Sequence, residues 1–252
     1  MTLIVDEVML REPNLLVPRK KPVGSVRVDF SNTITKGLKS CLPFNPATKF
    51  YDIASMQQWV PASGFNWMTG KGYFGYGGLS TDVNNYIKST LTNSVMGLVD
   101  DVTIHARVFQ NTDPLSNNVL FGLNSTTYSD WAYVDLNVAD QVRCSVGNSF
   151  TSSAAHSSNY FLNKESTFDV MVGSSTSSIK KVWTDNLIDI NTTGQDTTIA
   201  SETIGLSRVD DQTTSNKLFG GFWVFFCAWD RHLSEAERLS MNADPYQFLI
   251  PA

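Results

Sequence analysis

Carboxylates, imidazoles and thiols carry most protein chemistry, and this chain uses few of them. It has six glutamates: Glu7, Glu12, Glu165, Glu202, Glu235 and Glu237. Cleaving a glycosidic bond takes two carboxyl groups flanking it, one as acid and one as nucleophile or base. Glu165 and Glu202 stand alone. Glu235 and Glu237 fall where a helix is predicted to begin, and acidic groups there complement the helix dipole. The three histidines, His105, His156 and His232, have no recognisable Ser or Cys partner, and Gly-x-Ser-x-Gly is absent. They read as surface or internally satisfied residues. Cys41, Cys144 and Cys227 are an odd number in apolar surroundings and read as buried free thiols. Without a Cys-x-x-Cys pair, a cysteine zinc site is not expected. The chain reads as non-enzymatic and without a cofactor.

Binding chemistry is better represented. Carbohydrate recognition wants aromatic faces near a loop edge, and two segments offer them. Gly72-Tyr73-Phe74-Gly75-Tyr76-Gly77-Gly78 supplies Tyr73 and Tyr76, and Tyr128-Ser129-Asp130-Trp131 supplies Tyr128 and Trp131. The competing reading of the first is a packed strand whose glycines relieve crowding at a bend. It has no Lys-Ser/Thr ending and precedes no helix, so it is no phosphate loop.

Charge divides the chain. Residues 1–28 hold five basic and three acidic groups, whereas the whole chain has a net charge of −5, so the remainder is acidic. An acidic body argues against nucleic acid, whose phosphates need a basic face. No run of about 18 apolar residues is present, so no membrane-spanning helix is expected. Asp6, Glu7, Arg11 and Glu12 interrupt any signal-peptide core. Pro13, Pro18 and Pro22 punctuate the first 28 residues, which lack a core pattern and read as an extended arm. Its docking groups would be Leu10, Leu15, Leu16 and Val17 as apolar anchors, with Arg19, Lys20 and Lys21 as a basic trio. The arm either folds back on its own domain or docks on a neighbour, and docking is the favoured reading.

These groups must be carried by strands. Val102, Ile104, Ala106 and Val108 alternate with Thr103, His105, Arg107 and Phe109, and Phe168, Val170 and Val172 alternate with Asp169 and Met171. Similar alternation marks Ala132 to Val138 and Val142 to Val146. Period two with one apolar face belongs to sheets packed face to face. Phe219 to Arg231 instead is a near-continuous apolar run, predicting a strand buried on both faces. Ser234 with Glu237 forms a capping box that should start a short helix, and Asn242-Ala243-Asp244-Pro245 should stop it.

The ending Gly221, Arg231, Leu233, Ser234, Glu237, followed by Asn242 to Phe248, resembles the close of the LamG-like (concanavalin A-like lectin-glucanase) jelly-roll domain found in bacteriophage virion proteins. Lys36 to Asn45 looks like that family's opening strand, and Asp101–Phe109 and Thr167–Ile190 fall where it has core strands. The resemblance implies an all-β antiparallel sandwich over residues 29–252, with one short C-terminal capping helix and the arm over 1–28. The glucanase branch carries Glu-x-Asp-x-Glu on one strand, which this chain lacks. Members sometimes hold Ca²⁺, and Asp100-Asp101 and Asp210-Asp211 are the acidic pairs for it, with turn and capping roles as the simpler reading.

The expectation is therefore a virion structural protein, a capsid decoration or head or tail fibre component. It would assemble in the host cytoplasm as a homo-oligomer, dock on other virion proteins through its arm, and display a jelly roll that adheres to surface glycans. The alternatives are a lectin-like carbohydrate-binding module with no virion role, or a glycoside hydrolase.

Overall fold

The structure is a computed structural model and describes residues 19–61, 66–68, 72–75, 87–99, 101–110, 118–123, 132–136, 141–146, 154–157, 165–173, 180–184, 187–191, 203–206 and 221–252. Antiparallel strands dominate them. The larger of two principal sheets has eight strands. Across it run Leu187–Asn191, Lys180–Thr184, Glu165–Val172, Val102–Gln110, Gly221–Trp229, Gly72–Gly75 and Asn66–Met68. Leu38–Leu42 also pairs with the far end of Gly221–Trp229. The other sheet has seven strands, with Asn118–Leu123 and Thr203–Leu206 at its centre.

The two sheets share one apolar core. Val102, Ile104, Ala106 and Val108 point into it with Phe168, Val170 and Val172, and Ile87, Ile204 and Leu206 meet them from the opposite sheet. Those on Val102–Gln110 and Glu165–Val172 are the apolar positions that the alternation marked, so face-to-face packing of two sheets is confirmed.

The reverse face of the larger sheet is covered as well. Phe225, Cys227 and Trp229 emerge there beside Cys41, Met171 and Trp183. Over them lie Val26 and Val28, then Leu233, Met241, Tyr246, Phe248 and Leu249. The predicted double burial of the closing strand thus has a concrete cause. One face meets the opposite sheet, and the other lies beneath Val26, Val28 and the C-terminal residues from Leu233 to Leu249.

The cover is stitched together. Val26–Val28 pairs with Leu249–Pro251, so the last three residues of the 1–28 segment join the body as a strand. The helix Glu235–Ala243 starts at the predicted capping box, with both reciprocal bonds between Ser234 and Glu237 present. It stops at Asp244, before Pro245. Arg231 binds Glu237 through a two-pronged guanidinium contact at 2.7 and 2.9 Å and donates to the Lys36 carbonyl at 2.6 Å. Trp229 Nε1 donates to the Ile34 carbonyl at 2.8 Å. Thr103 Oγ1 donates to the Arg231 carbonyl and accepts from Leu233 N–H. The closing motif is therefore a clasp that ties the last strand, the helix and the 33–36 turn together.

Gly37 belongs to this clasp for a steric reason. Its φ is +78°, and a Cβ there would collide with the Asp230 carboxylate. Lys39 holds that carboxylate at 2.9 Å.

Candidate functional site

The covered face of the larger sheet carries a line of polar and charged side chains. They are the partners of the inward apolar residues: Thr103, His105 and Arg107 on one strand, Glu165, Thr167 and Asp169 on the next. Alternation alone suggests solvent for them. Instead His105, Asp169 and Thr103 are fully or almost fully buried.

Asp169 satisfies two cationic or potentially cationic neighbours. Its Oδ1 lies 2.7 Å from His105 Nδ1, and its Oδ2 lies 3.4 Å from Arg238 Nη1 on the covering helix. A carboxylate only accepts, so the shared proton sits on His105 Nδ1. The Arg238 guanidinium stacks 4.8 Å from the Trp183 ring centroid. A His-Asp pair suggests catalysis, but no substrate reaches an imidazole with no exposed surface. Its role is to pin the helix onto the sheet.

Two strand positions further on, the line opens into a recess of about 340 Å³. Arg107 and Glu165 line it with the apolar side chains of Phe109 and Val224 and with Tyr246. Arg19 and Lys21 close it from the N-terminal segment. Val224 reaches the recess because the closing strand bulges: Trp223 pairs with Val108 and Phe225 with Arg107, leaving Val224 as the extra residue.

The electrostatics of the recess are uneven. Arg107 Nη1 is 3.3 Å from Glu165 Oε1 and its Nε is 3.4 Å from Thr167 Oγ1. Both exceed the roughly 2.7–2.9 Å of a tight charge-assisted bond. Burial of the Lys21 ammonium lowers its pKa to about 7, and the nearby Glu165 charge opposes that effect. Lys21 as a whole is half-buried while its Nζ is enclosed. Burial pushes the Tyr246 phenol up, and a hydrogen bond with Arg107 acts in the opposite direction. Among the described lining residues, Arg19, Lys21 and Arg107 accompany the carboxylate of Glu165.

Of the predicted site residues, Arg19 and Lys21 line this recess. Tyr73 lies in Gly72–Gly75, which pairs with Gly221–Trp223 inside the larger sheet. Tyr76, Tyr128 and Trp131 lie outside the described residues, as do Leu10, Leu15, Leu16, Val17, Asp100, Asp210 and Asp211. Of the basic trio, Arg19 and Lys20 are exposed, whereas Lys21 turns into its own domain. Arg19 N–H donates to Asp244 and the Gly24 carbonyl accepts from Asn45. From residue 19 onward, then, the segment folds back on its own sandwich. Asp101 stands 3.8 Å from His232, and no group of His, Cys, Asp and Glu suited to a metal occurs among the described residues. Cys41 and Cys227 face each other in register as buried free thiols, as expected, and burial raises both pKa values.

No family model matches this sequence, and no curated protein matches it either. Solved structures do match. The binding domain of botulinum neurotoxin DC in complex with SialylT superposes with a TM-score of 0.63 at 10% identity, over 83% of this chain and 52% of that one. The binding domain of botulinum neurotoxin serotype C1 gives 0.62 at 12% identity, over 83% and 52%. That of serotype G gives 0.61 at 11%, over 81% and 50%. The likeness is one of fold. It establishes an antiparallel jelly-roll sandwich with a short helix, and this chain spans about half the length of the binding domains it matches.

Proposed function

We propose that this chain is a non-catalytic recognition module that binds carbohydrate through its jelly roll. The recess carries the reading. Its lining brings cations, an aromatic and aliphatic wall and, among the described residues, a single carboxylate, Glu165, together at one place. Glycoside hydrolysis needs two carboxyls across the bond, whereas holding a sugar needs only planar polar groups and an apolar face. The chemically able groups nearby serve structure instead, with Asp169 pinning the helix and Glu237 the clasp. Neighbours of the same fold include domains whose names mention SialylT and ganglioside molecules, which agrees with this reading.

The setting we propose is a bacteriophage particle, where a LamG-like module is displayed as a capsid decoration or fibre component. The closing motif Arg231, Leu233, Ser234, Glu237 supports it through family resemblance, and so does the Pro-punctuated basic segment that leads into the exposed Arg19 and Lys20.

The test is a glycan array probed with the full chain, together with a reducing-end assay on every retained glycan. Retention without release of reducing ends is expected. Release of product would make it a hydrolase, and no retention at all would remove the carbohydrate reading. Labelling of purified particles by an antibody to the chain tests the setting separately.

A further inference from the structure

We propose that Cys41 and Cys227 are a disulfide-forming pair, which staples the strand Leu38–Leu42 to the closing strand when the chain folds in an oxidising medium. This stands apart from the carbohydrate reading and rests on no part of the recess.

The backbone puts the two cysteines in the right kind of contact. They are direct partners across the antiparallel ladder, between the pairs Leu42 with Phe226 and Ser40 with Ala228. Antiparallel partners come in two kinds, and the kind decides how close the side chains stand. Cys41 N–H donates to Asp52 Oδ1 at 2.8 Å, and the Cys41 carbonyl accepts from Ile53 N–H at 2.9 Å. Both backbone groups of Cys41 therefore point away from Cys227. The pair is the non-hydrogen-bonded kind, whose Cα atoms lie about 4.5 Å apart with the side chains closer than in the other kind. A disulfide spans Cα separations of about 4.4–6.8 Å, so the bond is within reach at the short end of that range. The thiols already meet. One side chain hydrogen-bonds the other, and both lie in the apolar cluster on the outer face.

Cys144 has no cysteine across its ladder. Its strand Gln141–Val146 belongs to the other sheet, where Val134 and Ala154 stand opposite it. Of the three cysteines in the chain, the pairing therefore selects Cys41 and Cys227.

Access sets when the bond forms. Neither thiol has exposed surface, and burial raises both pKa values, so little thiolate is present in the closed domain. Val26, Val28 and the residues from Leu233 to Leu249 lie over them. The exchange belongs to the folding chain, before that cover closes. One cysteine, as thiolate, attacks a small-molecule disulfide and expels half of it as a thiolate. The other cysteine then attacks the mixed disulfide and expels the second half. The protein gives up two electrons and two protons, and the small disulfide leaves as two thiols. The product links an early strand to the closing one, so it constrains the unfolded chain across most of its length.

The experiment refolds the full chain from denaturant in oxidised and reduced glutathione, quenches the exchange with acid, and alkylates the chain unfolded. Mass spectrometry should find Cys41 and Cys227 in one linked peptide pair and Cys144 alkylated. In urea the oxidised chain should have an unfolding constant at least about thirtyfold smaller than the reduced chain. Cys41→Ala should remove both the link and that difference, and Cys144→Ala should keep both. Should Cys41→Ala fail to fold, Cys144→Ala decides alone, because its oxidised form should retain no alkylatable thiol. The folded, reduced chain placed in the same buffer should oxidise at least about tenfold more slowly than the refolding one. Equal rates overturn the role given to the cover. Three alkylated cysteines after refolding, or links that involve Cys144, overturn the pair. A link between Cys41 and Cys227 with no gain in stability overturns the staple.

Discussion

The two faces of the larger sheet are both buried and built on opposite principles. The inner face is a wall of Val102, Ile104, Ala106, Val108, Phe168, Val170 and Val172, interrupted by the small hydroxyl of Ser166. The outer face mixes Met171 and Phe225 with Thr103, His105, Arg107, Thr167 and Asp169, each in a specific contact. Apolar packing is non-directional, so the inner face tolerates change of shape at constant volume. Charges out of water stabilise only with their partners in place. Specificity in this molecule therefore resides on the face that the chain termini cover, and bulk stability on the face between the sheets.

The largest expected effect tests the outer network. Asp169→Ala leaves Arg238 buried without its counter-charge and should cost about 3–5 kcal/mol in chemical denaturation. A loss no larger than that of a single neutral hydrogen bond would show that the network is loose and weaken the contrast between the faces. Gly37→Ala probes the clasp from its backbone and should cost about 2 kcal/mol, since the new Cβ meets Asp230 at φ +78°. Glu237→Gln should cost a similar amount, about 2 kcal/mol, through lost cap and guanidinium bonds.

Glu237 also makes a pH prediction. Arg231 and Ser234 hold its pKa down at about 2 against an ordinary 4.5. A depressed carboxylate stabilises fully above its unfolded pKa, so this contribution is present above about pH 4.5 and lost as pH falls toward 2. The wild type should lose more stability than Glu237→Gln across that window. Lys21 works in the opposite sense. Its folded pKa near 7 lies below the ordinary 10.5, so the unfolded chain binds the proton more readily and stability rises with pH between those values. Lys21→Met should flatten that rise. The smallest effect belongs to the inner face: Ile104→Leu should cost less than about 1.5 kcal/mol, and a larger loss would mean that this face is as exacting as the other.

Most of the fold was legible in local pattern. Alternation from Val102 to Phe109 and at Phe168 to Val172 marked the inward residues, and the unbroken run through Phe222 to Trp229 marked a strand with two buried faces. The capping box at Ser234 placed the helix start. What pattern could not supply was the identity of the cover. Period two gives the same signal for a polar face in water and one beneath a helix, so pattern left His105 open between a surface and an internally satisfied position, and Arg238 above Asp169 decides for the second. The recess was hidden for a related reason. Its residues come from positions 19, 21, 107, 109, 165, 224 and 246, which share no spacing, and the bulge that aims Val224 into it is a register shift. An arginine on an otherwise uncharged strand, Arg107, two residues from His105, was the one available hint.

The short pairing of Val26–Val28 with Leu249–Pro251 also has a mechanical meaning. Because the two ends run antiparallel side by side, tension applied between them acts across the ladder rather than along it. Within the ladder the bond from Ala252 N–H to the Ser25 carbonyl is loaded first, then each rung in turn. A strand pair pulled this way unzips at low force. Anything tethering the domain by both ends would peel the cover from the outer face, and so open the recess, while the two packed sheets stayed intact.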